Sequence, residues 1–197
     1  MKLVGLLADR SAAPQLVIPH RVCRADATDT VLAANSGAQA RPQTHAGVVL
    51  AWPRSAGERD AAEAALAPHV SALYRVEEVL HWDELGDAPD AIVLTYLVRR
   101  RADLSFAAFS SHYRERHAPL ARVHHPGIAR YVQNYVAPRA GDPAPIDAIS
   151  ELWFKSEADA RTRFYRDDES RRVIGEDVRR FVDLRGGGAF AARPRPA

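Results

Sequence analysis

The sequence predicts an α+β protein of two ferredoxin-like units in tandem, the first degenerate, with their sheets joined in the manner of a barrel. Three observations lead there. The second half of the chain reads β-α-β-β-α-β, the ferredoxin-like order. The stretch Asp83-Glu84-Leu85-Gly86-Asp87-Ala88-Pro89-Asp90, acidic and turn-forming, has the composition of a linker between units 1–88 and 91–190. Finally, His45 to Trp52 lies over Asp147 to Phe154 without a gap, and each run leads to a serine that opens an alanine-rich stretch. An internal repeat explains that pairing; so does the general look of a strand-to-helix junction.

In the first half, the apolar run 2–8 predicts a strand, and 20–27 is a further strand candidate. A strand over 46–52 precedes a helix over 56–67, opened by the capping box of Ser55 and Glu58 and ended by Pro68. A strand over 73–81 closes the unit. Too few residues remain between its first two strands for a full helix, and much of 10–44, poor in periodicity, reads as a long loop.

In the second half, Ala91 to Val98 is a β-rich run stopped by Arg99-Arg100-Arg101, a solvated strand end that could also grip an anion. A helix follows, capped by Asp103 or Ser105. Along it Phe106, Phe109, Tyr113, His117 and Leu120 recur at steps of three and four and share one buried stripe. Pro126-Gly127 turns into a strand over 128–136, a loop runs from Pro138 to Pro145, and a strand spans 148–154. Ser156 with Asp159 caps a helix over 156–165. A second helix, 168–183, carries Ile174, Val178, Phe181 and Val182 on one face, and Gly186-Gly187-Gly188 leads to a closing strand. The two sheets are expected to face each other within one chain; pairing of like halves from two chains is the alternative, and a homodimer fits either.

Composition excludes several classes. The 197 residues are 47% hydrophobic and 26% charged, the balance of a globular chain, with 27 basic against 25 acidic residues. A net charge of +2 creates no field that would draw nucleic acid or a membrane surface. Cys23 is the only cysteine, so no intrachain disulfide and no thiolate metal cage can form. Leu3 to Ala8 is too short for a signal-peptide core and no run reaches membrane-spanning length, so a cytoplasmic protein is expected. Neither a phosphate-binding glycine loop nor a nucleophile elbow is present.

One helix and the strand after it carry a more specific pattern. Phe109, Tyr113-Arg114-Glu115-Arg116-His117-Ala118-Pro119-Leu120, Pro126-Gly127, Arg130-Tyr131-Val132-Gln133-Asn134 and Asp147 to Phe154 together resemble the EthD family of the dimeric α+β barrel superfamily. The resemblance covers roughly 91–190. It implies the barrel fold and, among family members and near relatives, cofactor-free dehydratases, isomerases and cyclases, or partners of oxidative degradation. Residues 1–88 have no equivalent of Tyr113 to Leu120.

The residues themselves single out His117. It occupies an apolar stripe, and Pro119 cannot donate to the Glu115 carbonyl, so the helix should loosen beside it. Imidazole titrates near neutrality, which suits a base removing a proton next to a carbonyl, and Tyr113 could donate to the developing enolate. A buried histidine satisfied by the backbone is the plainer alternative. Strand parity with an apolar helix-facing side puts Val132, Asn134 and Val136 toward the helix, Asn134 opposite His117, and Tyr131 and Gln133 toward the sheet interior. The expected ligand is a small apolar or aromatic carbonyl compound held by Asn134, Phe109, Phe106 and Leu120. No cofactor is expected. No metal is expected either: His112 and His117 fall on different helix faces, and His124 and His125 at the helix end suit cations at the dipole's negative end. A non-catalytic carrier and an accessory role in an oxidation are the competing functions.

Overall fold

The computed structural model describes residues 1–9, 16–25, 45–137 and 146–194. The loops expected at 10–44 and 138–145 fall outside them, apart from 16–25. The elements in chain order are β1 (Lys2–Leu7), β2 (His20–Ala25), β3 (Gly47–Ala51), α1 (Ala56–Leu66), β4 (Val70–Asp83), β5 (Ile92–Val98), α2 (Phe106–His112), a π-helical turn (Tyr113–His117), α3 (Ala118–His124), β6 (Arg130–Val136), β7 (Ala148–Phe154), α4 (Glu157–Thr162), α5 (Asp168–Phe181) and β8 (Gly188–Pro194). The eight strands form a closed antiparallel barrel in the order β1-β3-β2-β8-β5-β7-β6-β4. Two seams join the early strands to the late ones: β4 with β6, and β2 with β8. Closure leaves this sheet without a free edge among the described residues.

Alternation along each strand sorts the side chains into two cores. Val4 and Leu6 of β1, Val48 and Leu50 of β3, Val93 of β5, and Ile149 and Trp153 of β7 fill the barrel. Their neighbours point outward: Leu3, Leu7, Val49 and Ala51 pack against Ala62 and Leu66 of α1. On the other side Ile92, Leu94, Leu152 and Phe154 meet Ala118 and Ala121 of α3. At the start of β3, Gly47 has φ +150° and a Cβ there would lie 2.1 Å from the Cys23 carbonyl, so only glycine lets β3 approach β2.

The caps form where the serines stand. Ser55, Ser105 and Ser156 each accept from the amide three residues on, at 3.1 Å. Asp103 pairs instead with Arg101. The expected 156–165 helix stops at Thr162, and Asp167 caps α5 separately by accepting from the Ser170 amide at 2.7 Å. The helix expected after Ser105 is divided by its π turn immediately before Pro119, where the α-helical donor is missing.

The face of β6 is reversed from the expectation. Tyr131 and Tyr135 pack with the helices, while Val136 lies in the barrel core, so Val132 and Asn134 point inward as well. The barrel interior is not uniformly apolar, and that decides the parity. Buried Lys2 donates to Glu151 at 2.5 Å and to Glu78 at 2.8 Å. Asn134 Nδ2 donates to Glu151 at 2.8 Å, as does Trp153 Nε1 at 3.0 Å. Burial would raise the Glu151 carboxyl, but attraction to Lys2 and these hydrogen bonds outweigh it and hold it below the ordinary carboxylate range.

Candidate functional site

Outside the barrel, between its β5-β7-β6 face and the helices, lies a cavity of about 410 Å³. Tyr96, Tyr131, Ser150 and Leu152 form its floor. One wall is the line Tyr113, His117, Ala121 and His125; the other comes from α5, with Ile174, Gly175 and Val178. That first line advances in steps of four. In an unbroken α-helix each such step would drift by about 40° around the axis, and the wider π turn absorbs part of the drift.

His117 is 8% exposed and borders this cavity. Its Nδ1 donates to Asp177 Oδ2 at 2.9 Å, and the other carboxylate oxygen, Oδ1, accepts from His112 Nε2 at 2.8 Å. With the proton held on Nδ1, the neutral ring keeps its lone pair on Nε2, which meets no hydrogen-bond partner among the described residues. Burial alone would raise the Asp177 carboxyl. Hydrogen bonds from His117 and His112 overcome that and set it below its ordinary range, so the carboxylate stays ionised beside the imidazole. The imidazole is thus oriented by a carboxylate through one nitrogen, with its second nitrogen left open.

Tyr113 lies one turn earlier, 5.3 Å ring to ring from His117, and its hydroxyl is hydrogen-bonded to Ser150. Either hydroxyl can donate to the other. When Ser150 donates, the Tyr113 proton is available to a third oxygen in the cavity. Burial raises the Tyr113 pKa above the ordinary phenol value, against hydrogen bonds to Ser150 and Tyr131, so Tyr113 stays a protonated donor. Gln133 holds the π turn in place: its Nε2 donates to the Tyr113 carbonyl at 3.0 Å and to the Tyr131 hydroxyl at 2.9 Å.

Of the expected site residues, His117 and Tyr113 come together at the cavity, while Asn134 sits inside the barrel. Phe109 is fully enclosed by Tyr113, Tyr135 and Phe181. Phe106, 37% exposed, lies edge-on to Tyr135 rather than in a buried stripe. Leu120 is half-buried and Ala121 takes the cavity position, the stripe continuing at four residues instead of three. His112 and His117, which α-helical spacing would set about 140° apart, reach one carboxylate because the π turn brings them round. His125 is buried rather than a helix-end cation. Among the described residues no three His, Cys, Asp or Glu side chains gather where a metal ion could sit.

Sequence reasoning missed Asp177, Ser150 and Gln133. Asp177 left a signal: it stands three residues after Ile174 and four before Phe181, on the buried stripe of an amphipathic helix, where a carboxylate needs a partner.

Residues 101–185 match the family model of the EthD domain. This part of the chain is similar to the EthD domain. That segment holds Tyr113, His117, His125 and Ser150, which line the cavity, and Asp177, which is hydrogen-bonded to His117. A solved structure described as "Crystal structure study of anthrone oxidase-like protein" is similar in fold, with a TM-score of 0.63 at 13% identity over 99% of this chain and 91% of that one. A search of curated protein sequences gives no match. Among the described residues no helix is long and apolar enough to cross a membrane.

Proposed function

We propose that the protein binds a small, largely apolar carbonyl compound in this cavity and moves a proton on it without a cofactor, as in a dehydration, isomerisation or cyclisation. The observation that carries the reading is His117, with Nδ1 fixed by Asp177 and Nε2 left to the cavity. Nε2 takes a proton from the carbon next to the carbonyl. Asp177 stabilises the imidazolium that results, and the Tyr113 hydroxyl, relayed by Ser150, donates to the developing enolate oxygen. Return of the proton from the His117 imidazolium to a different carbon completes an isomerisation; its transfer to a departing β-hydroxyl, lost as water while the enolate electrons form the new double bond, completes a dehydration.

Two further elements belong to this reading. The strand orders β4-β1-β3-β2 and β8-β5-β7-β6 are the same sequence of ranks, which supports two ferredoxin-like units, 1–88 and 91–190, with the ligand site confined to the second. The neighbour described as anthrone oxidase-like favours, as a second reading, a supporting role in an oxidation. An enolate would serve either.

The test is deuterium exchange at the carbon beside the carbonyl of α-tetralone, followed by NMR in D₂O. The protein should accelerate exchange, and His117→Gln should lose on the order of 10²–10⁴-fold of that acceleration. Unchanged exchange with His117→Gln refutes the base role. Absence of exchange in the native protein, with binding intact, leaves a carrier.

A further inference from the structure

His125 is the cavity group that proton transfer leaves without a task. It follows the last turn of α3, is 5% exposed, and borders the cavity. Its Nδ1 is hydrogen-bonded to the Phe164 carbonyl, and a carbonyl only accepts, so the ring proton sits on Nδ1. The ring is wedged between Phe164 and Tyr165, with centroids 4.7 and 4.9 Å away. Tautomer and orientation are therefore both fixed. What remains is Nε2, a lone pair that meets no hydrogen-bond partner among the described residues. Burial lowers the His125 pKa to about 4 despite the Phe164 hydrogen bond, so the ring stays neutral near pH 7. It accepts hydrogen bonds there and is a poor base.

The cavity sets where that acceptor stands. His125 lies eight residues beyond His117 on the same wall, about 12 Å along a helix axis. Between them the wall is Ala121, and α5 contributes Gly175, where an added Cβ would meet nothing nearer than Arg179 Nη1 at 3.8 Å. Small residues on both helical walls and tyrosines on the floor leave a slot suited to a flat ring system. Subtracting a contact of about 3 Å at each end leaves roughly 6 Å between the reacting atoms and a second polar atom. That is the scale of a fused bicyclic ring.

We propose that His125 is a specificity-determining residue whose Nε2 accepts a hydrogen bond from a hydroxyl at the far end of a flat aromatic ketone, so that the ligand class is phenolic. This rests on the cavity being the ligand site proposed above. The ketone end then meets Tyr113 and His117 while the phenol is held two helical turns away.

The experiment measures binding of α-tetralone and of the same ketone carrying a phenolic hydroxyl on its far ring. The native protein should bind the phenol about tenfold tighter or more. His125→Asn keeps a donor for the Phe164 carbonyl, but its shorter side chain places no acceptor where Nε2 stands, and it should bring the two ketones within about threefold. The native protein alone gives a second readout: the ¹⁵N signal of His125 Nε2 should move with the phenol and stay with the parent ketone. Equal binding to the native protein, a preference that survives His125→Asn, or an unmoved Nε2 signal overturns the assignment. If neither ketone binds, the ligand cavity and this proposal fall together. If the phenol preference holds and exchange is absent, proton transfer falls while the His125 assignment stands.

Discussion

Asp177→Asn separates a positioned base from a buried histidine more sharply than deletion of the imidazole. The carboxylate accepts from His117 at 2.9 Å and from His112 at 2.8 Å, one oxygen each. An amide has one accepting oxygen and one donating nitrogen, so it can serve only one histidine as now. With its oxygen toward His117, the base keeps its tautomer but loses a charged partner. A hydrogen bond to a charged group contributes about 1.5–3 kcal/mol, or about ten- to 150-fold in rate if fully expressed in the transition state. With its nitrogen toward His117, the ring must move its proton to Nε2, and the loss approaches the full general-base contribution of about 10²–10⁴-fold. The expected outcome is an intermediate loss, on the order of 10²-fold, in tetralone exchange at pH 7. Adding His112→Phe removes the competing donor and should restore about tenfold, a recovery that a merely structural Asp177 would not show. An Asp177→Asn protein that binds tetralone normally and exchanges it within threefold of the native rate would refute the reasoning.

The barrel and the cavity should respond separately. Glu151→Gln takes one of two carboxylates from buried Lys2 and should cost about 2–4 kcal/mol by thermal or denaturant unfolding, with Glu78 keeping the loss below that of a fully broken buried pair. Because the folded-state Glu151 carboxyl is held below its ordinary range, its contribution is present at neutral pH and lost as pH falls through and below that range. The melting temperature should therefore fall on the acid side, less steeply in Glu151→Gln. Gly175→Leu should fill the cavity and abolish tetralone binding without lowering the melting temperature, since leucine is the better helix former by about 0.7–1 kcal/mol. Cys23, fully buried with its thiol pushed up to about 12 by burial and by Glu151, should resist iodoacetamide until the protein unfolds.

The strands, the serine caps and the Tyr113–His117 pair were legible because each signal is local. Alternation, a hydroxyl three residues before an amide, and a proline four residues after a carbonyl can all be read in one window. Features that depend on distant partners were not. Lys2 and Glu151 meet across 149 positions, and Asn134, on the inner face of β6, donates to that same Glu151. On sequence alone β6 has apolar residues on both faces and an amide on each, so parity could not choose. Asp177 supports His117 from another helix, 60 positions on. The π turn was partly readable from Pro119, yet its consequence was not: it moves His112 onto the same carboxylate and Ala121, instead of Leu120, into the cavity.

The central claim is that His117 presents an unprotonated Nε2 to a ligand in the cavity. Long-range ¹H–¹⁵N correlation spectra of the full chain, recorded where the ring is neutral, report it directly. The account expects the His117 proton on Nδ1, an Nε2 signal in the unprotonated range, and a shift of that signal when α-tetralone is added while Nδ1–H remains bonded to Asp177. A His117 proton on Nε2, or an Nε2 signal unmoved by saturating ligand, would contradict it.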